Sequence, residues 1–105
     1  MRLSKDQVKA LHDVLETMWN EIPYQLFLYG SRIHDHLKGG DIDLLILTNE
    51  EGVRLFKDQE LNLLVQIKKE KSIGQRRLDL KAVTQKDIEE DTFLKVIATT
   101  MIQLV

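Results

Sequence analysis

Apolar residues recur along this chain with two periods, and the switches between them mark its elements. Ser4-Lys5-Asp6-Gln7 has the form of a capping box, in which the serine and glutamine side chains satisfy backbone N–H groups reciprocally. Val8, Leu11, Leu15 and Met18 follow at helical spacing and give a first helix one apolar face. Pro23 is expected to stop it, because proline disfavours helix in the residue before it. Gln25 to Tyr29 is a short apolar and aromatic run, which predicts a strand ended by Gly30-Ser31. Arg32 to Leu37 predicts one helical turn or a loop, closed by Gly39-Gly40.

Asp41 to Leu47 predicts a second strand, nearly all aliphatic apart from its acids. Thr48-Asn49-Glu50-Glu51 reads as another capping box, opening a long helix through Val53, Phe56, Leu63, Leu64 and Ile67. Lys68, Lys69 and Lys71 fall near its negative dipole end, with Gly74 beyond. Arg77 to Val83 predicts a third strand. Thr84-Gln85-Lys86-Asp87 caps a last helical region with Ile88, Leu94, Ile97 and Met101 on one side. Alternating strands and helices predict an α/β or α+β fold, a small mixed sheet with helices packed on it.

Composition narrows the function. A chain of 105 residues, 43% hydrophobic and 30% charged, is expected to build one domain with one core. It has no cysteine, which excludes disulfides, thiolate metal sites and a cysteine nucleophile. The longest apolar run, Leu44 to Leu47, is far below the ~20 residues of a membrane span. The start of the chain has no apolar signal segment, so a reducing, cytoplasmic compartment is expected. The net charge of −2 disfavours a dedicated nucleic-acid-binding module, which usually carries a basic surplus. A small anionic substrate is not excluded by it.

The chemistry concentrates in three places. Asp41 and Asp43 alternate along a strand, so they share a face with ~6.6 Å between them at the backbone. Ile42, Leu44 and Ile46 take the other face, toward the core. Two carboxylates side by side call for a countercharge, and magnesium is commonly held by one or two carboxylates plus substrate phosphates. In the third strand Leu78, Leu80 and Ala82 take one face, and Arg77, Asp79 and Lys81 the other. If the two strands are neighbours, Asp79 joins Asp41 and Asp43, and three carboxylates suit two metal ions in phosphoryl or nucleotidyl displacement. Gly30-Ser31 lets backbone approach a phosphate, and Arg32 adds a charge-assisted contact.

A strand ending in Gly30-Ser31, Asp41-Ile42-Asp43 opening the next, and Asp79 on a later one resemble the polymerase-beta-like nucleotidyltransferases. The likeness is greatest to the minimal nucleotidyltransferase (MNT) proteins of prokaryotes and spans nearly the whole chain, implying a single nucleotidyltransferase domain over residues 1–105. Two positions depart from the family pattern: nine residues separate Ser31 from Asp41, one fewer than is common, and Asp35 stands where a glycine is frequent. The resemblance implies that Asp41 and Asp43 hold two Mg²⁺ ions. Asp79 would complete the catalytic metal site and help activate the attacking hydroxyl. Gly30, Ser31 and Arg32 would bind the triphosphate of ATP. It further implies an antitoxin that transfers AMP to a tyrosine of a HEPN-domain toxin. Two alternatives stay open: a non-catalytic module that neutralises its partner by contact, and a nucleotide-binding subunit of a two-subunit enzyme. A homo-oligomer is compatible with all of these.

Other conspicuous residues have plainer expectations. His34 and His36 are two apart, the wrong spacing for a shared helical face, and read as polar loop surface. Trp19 and Tyr24 read as core and rim. The side taken by Tyr29 stays open. Asp79 has a competing role in ion pairs with Arg76, Arg77 or Lys81. Met101 is expected to dock on the sheet, and Leu104 and Val105 to face a partner.

Overall fold

The computed structural model describes residues 3–29, 42–69 and 78–105. The chain runs α1 (Lys5–Met18), β1 (Tyr24–Tyr29), β2 (Ile42–Thr48), α2 (Glu50–Lys68), β3 (Leu78–Val83), α3 (Gln85–Glu90), α4 (Thr92–Ala98) and β4 (Ile102–Gln103). The strands form a four-stranded sheet in the order β3-β2-β1-β4. β1 is antiparallel to both β2 and β4, whereas β2 and β3 are parallel. A parallel pair needs a crossover, and α2 supplies it.

Alternation along the strands sorts the core into two layers. Leu26, Leu28, Ile42, Leu44 and Ile46 are fully buried on one face, packed with Leu11 and Leu15 of α1 and Phe56, Leu63 and Ile67 of α2. Tyr29, Leu45 and Val83 lie on the other face with Ile88 of α3 and Leu94 and Ile97 of α4. β2 is therefore apolar on both faces for most of its length, as a central strand between two helical layers must be. No helix among the described residues is long and apolar enough to cross a membrane.

The start of α1 follows the sequence closely. Gln7 N–H donates to Ser4 Oγ at 3.1 Å, and Ser4 N–H donates to Gln7 Oε1 at 2.8 Å. The Thr84–Asp87 box forms in the same way at 3.1 and 3.0 Å. The helix ends at Met18, ahead of Pro23, as Trp19 turns into the core at 1% exposure. Trp19 and Tyr24 take their expected core and rim places with ring centroids 6.4 Å apart, and the Tyr24 hydroxyl donates to Glu16 at 3.0 Å.

Four local expectations change. The N-cap of α2 is Asn49, whose side chain accepts from Gly52 N–H at 2.9 Å. Thr48 remains in β2, where its hydroxyl donates to the Pro23 carbonyl at 2.8 Å. The last helical region is two helices, because Asp91 adopts an extended backbone and caps α4 through Leu94 N–H at 3.1 Å. The tail adds an edge strand: Leu104 N–H donates to Leu26 O at 2.7 Å and Leu26 N–H to Val105 O at 3.0 Å. Leu104 and Val105 pack, half-buried, against the α1–α2 layer, while Met101 docks on the opposite layer as expected. Arg32–Leu37, Lys71, Gly74 and Arg77 lie outside the described residues.

Gly52 fixes how α2 leaves β2. A Cβ there would overlap Thr48 Oγ1 and come within 2.8 Å of Thr48 Cγ2 and 2.9 Å of Thr48 Cβ. The threonine is tied to Pro23 and stiff at χ1, so it cannot swing aside without losing that bond. Overpacking costs about 1–3 kcal/mol, whereas the helix-propensity gain from glycine to alanine is only about 1 kcal/mol. Gly52→Ala should therefore lower the denaturation midpoint, and adding Thr48→Ala should restore part of the loss; a stabilised single variant would contradict the packing.

Candidate functional site

The site is set by strand register. Asp43 of β2 pairs with Asp79 of β3, and Tyr29 of β1 pairs with Asp43. Residues aligned across neighbouring strands project to the same face, with strands about 4.8 Å apart. The three form one row at one end of the sheet, on the face shared with Leu45 and Val83. α3 and α4 cover that face through Val83 and Leu45. Asp43 is half-buried and Asp79 exposed, so the acids stand at the open margin of this layer.

Local sequence explains why they meet there. Ile42, Leu44 and Ile46 are each completely buried against α1 and α2, which leaves Asp43 no choice but the opposite face. Leu78, Leu80 and Ala82 pack on the same layer and turn Asp79 likewise. A shift of either strand by one residue would flip its whole apolar set to the wrong side. The aliphatic pattern thus fixes the carboxylates through the residues between them.

Tyr29 is the member that the sequence left undecided. It is buried, at 6% exposure, and its phenol pKa is pushed up to about 12, first by burial, then by the charges of Asp79 and Asp43. Both carboxylates therefore act electrostatically on one hydroxyl. Parity along β1 was the available signal: Leu26 and Leu28 face α1 and α2, so Phe27 and Tyr29 face the other way. Lys81, a possible ion-pair partner of Asp79, has its ammonium 5.8 Å from the centroid of the Phe93 ring.

Gly30, Ser31, Arg32 and Asp41 lie outside the described residues, as do His34, His36, Arg76 and Arg77. Among the described residues, no three His, Cys, Asp or Glu side chains cluster as a metal site. Those residues supply the pair Asp43 and Asp79. Carboxylates aligned on one face are hard oxygen donors, a donor set that fits a divalent cation such as Mg²⁺.

The electrostatic link gives a direct check on convergence. The chain has two tyrosines, and Tyr24 is raised still further than Tyr29, by burial and by its hydrogen bond to Glu16. Asp43→Asn should lower the earlier-titrating tyrosine in an absorbance titration, and adding Asp79→Asn should lower it again. Burial is the larger cause, so part of the elevation should survive both changes. The phenol is harder to ionise when folded than at its ordinary value of 10.0, so its contribution to stability is complete below pH 10 and falls as pH rises toward about 12. A titration unmoved by either substitution would show that the acids do not face Tyr29.

No curated protein matches the chain. Residues 8–104, however, match the family described as "Nucleotidyltransferase domain". The mixed four-stranded sheet with helices on both faces agrees with that match. The chain belongs to the nucleotidyltransferase domain family, within the polymerase-beta-like superfamily.

Proposed function

We propose that this chain transfers a nucleoside monophosphate, AMP from ATP, to a hydroxyl acceptor, with its catalytic centre at the Asp43–Asp79 row. The observation that carries the reading is the in-register pairing of the two carboxylates on one sheet face beside a buried tyrosine. The family supports nucleotidyl transfer in general. Asp43 and Asp79, with Asp41, would hold Mg²⁺. The bound ion supplies Lewis-acid stabilisation of charge on the α-phosphate and the leaving pyrophosphate.

The chain's own residues have separable tasks. Asp79, the more exposed acid, accepts the proton of the acceptor hydroxyl as its oxygen bonds to the α-phosphorus. The bond from that phosphorus to the bridging oxygen breaks, and pyrophosphate leaves with the electron pair. Gly30, Ser31 and Arg32 bind the triphosphate. Tyr29, protonated at neutral pH, forms an apolar wall under the acids and keeps water from that side. A tyrosine on a HEPN-domain protein is the acceptor that best suits the likeness to minimal nucleotidyltransferases, and the protein then acts as that toxin's antitoxin.

Labelled ATP, magnesium and a HEPN-domain partner provide the test. The wild-type chain should label the partner, and Asp43→Ala should reduce transfer by about 100-fold or more. Asp79→Asn should abolish transfer while changing stability by no more than about 0.5 kcal/mol, because Asp79 is exposed. Transfer that persists in Asp43→Ala would overturn the catalytic reading. Neutralisation of the partner without label transfer would favour the contact-only module.

A further inference from the structure

The outer stripe of α2 carries two of the large apolar side chains exposed among the described residues. Leu61 is 76% exposed and Val65 47% exposed, four residues apart on one helical face. With Leu64, Lys68, Lys69 and Leu78 they line a groove of about 480 Å³. At 100° per residue, Arg54, Lys57, Leu61, Val65 and Lys68 fall within about 40° of one line. All five are exposed; two acids of α2 lie nearby, Glu50 on the same line at the first turn of the helix and Asp58 at its margin, so the stripe keeps a cationic surplus. Arg54, Lys57, Lys68 and Lys69 form no ion pair with a carboxylate among the described residues. A chain of net charge −2 has thus placed an apolar centre between basic residues on a single helix.

The groove ends at the sheet edge on whose opposite face the site lies. Leu78, at its edge, is followed directly by Asp79 on β3, which is an edge strand of the sheet. A body seated on α2 can bend round that edge and come to the carboxylate row. The other exposed apolar pair, Phe93 and Val96 of α4, differs: the Lys81 ammonium sits over Phe93, and Glu89, Glu90 and Asp91 precede it.

We propose that the outer stripe of α2 docks a partner protein through an amphipathic helix whose apolar centre is flanked by carboxylates, and that this partner carries the acceptor hydroxyl. Charge complementarity selects that occupant. A second copy presenting the same stripe would set cations against cations, and a nucleic acid would leave Leu61 and Val65 unmatched. The second half of the proposal rests on the nucleotidyl-transfer reading; the docking itself does not.

The test uses two synthetic helical peptides of about 20 residues with the same leucine stripe, one flanked by glutamates and one by lysines. Fluorescence anisotropy with the full chain should show the glutamate peptide binding about tenfold tighter or better, with the preference weakening in high salt. Leu61→Ser with Val65→Ser should weaken that binding about tenfold, whereas Phe93→Ser with Val96→Ser should not. Lys57→Glu with Lys68→Glu, which leaves the apolar centre intact, should reverse the preference between peptides. Equal binding of both peptides, or binding indifferent to residues 61 and 65, would overturn the proposal. So would a wild-type dimer dissociated by Leu61→Ser with Val65→Ser, or competition by polyadenylate. Calorimetry with magnesium-ATP separates the two claims: nucleotide binding without peptide binding sinks the docking surface alone, and the reverse sinks nucleotidyl transfer alone.

Discussion

The in-register pairing of two acidic residues, held side by side by parallel strands, is the constraint around which the candidate site is arranged. Asp43 and Asp79 occupy one register position on adjacent strands, where like charges are destabilising by a few tenths to about 1 kcal/mol. A sheet built for stability alone would place opposite charges or β-branched residues there. The fold tolerates the arrangement because strand register is determined elsewhere. Ile42, Leu44 and Ile46 are completely buried on one side of β2, and Leu45 on the other. The apolar area committed on both faces outweighs the local charge cost, since burying a single such side chain contributes about 1.5–3 kcal/mol.

That division of labour extends to the helices. α2 connects the two parallel strands and brings its first turn close against the end of β2, which the missing side chain of Gly52 permits against Thr48. α3 and α4 close the second face at Val83 and Leu45. Tyr29 then fills the space between this second core layer and the acids. Its raised phenol pKa records both properties of the place, scarce water and nearby negative charge.

The sequence made the site more legible than the rim of the fold. Asp43 and Asp79 were readable because two-residue alternation assigns each to the face opposite an aliphatic set, and that set is unambiguous. The neighbourhood of β2 and β3, which sequence could state only as a condition, is what the structure adds. Asn49 displaced Thr48 as the cap because consecutive residues were both competent, and the bond from Thr48 to Pro23 spans 25 residues of chain. Asp91 split a helical pattern whose apolar spacing continued through the break. β4 is two residues long, and its pairing with Phe27 and Leu28 depends on tertiary contact that no local pattern carries. The exposed Leu61 and Val65 were hidden for a related reason: their spacing matches a buried stripe, and only the packed molecule shows which side of α2 has been used.

Trace manganese(II) with ATP, added to isotopically labelled protein, reports most directly whether the acids form a common cation site. Paramagnetic broadening should appear first at residues 29, 43 and 79, and Asp43→Asn should remove it. Broadening centred on another acidic group, such as Asp87, Glu89 and Glu90, with residues 43 and 79 unaffected, would contradict the account.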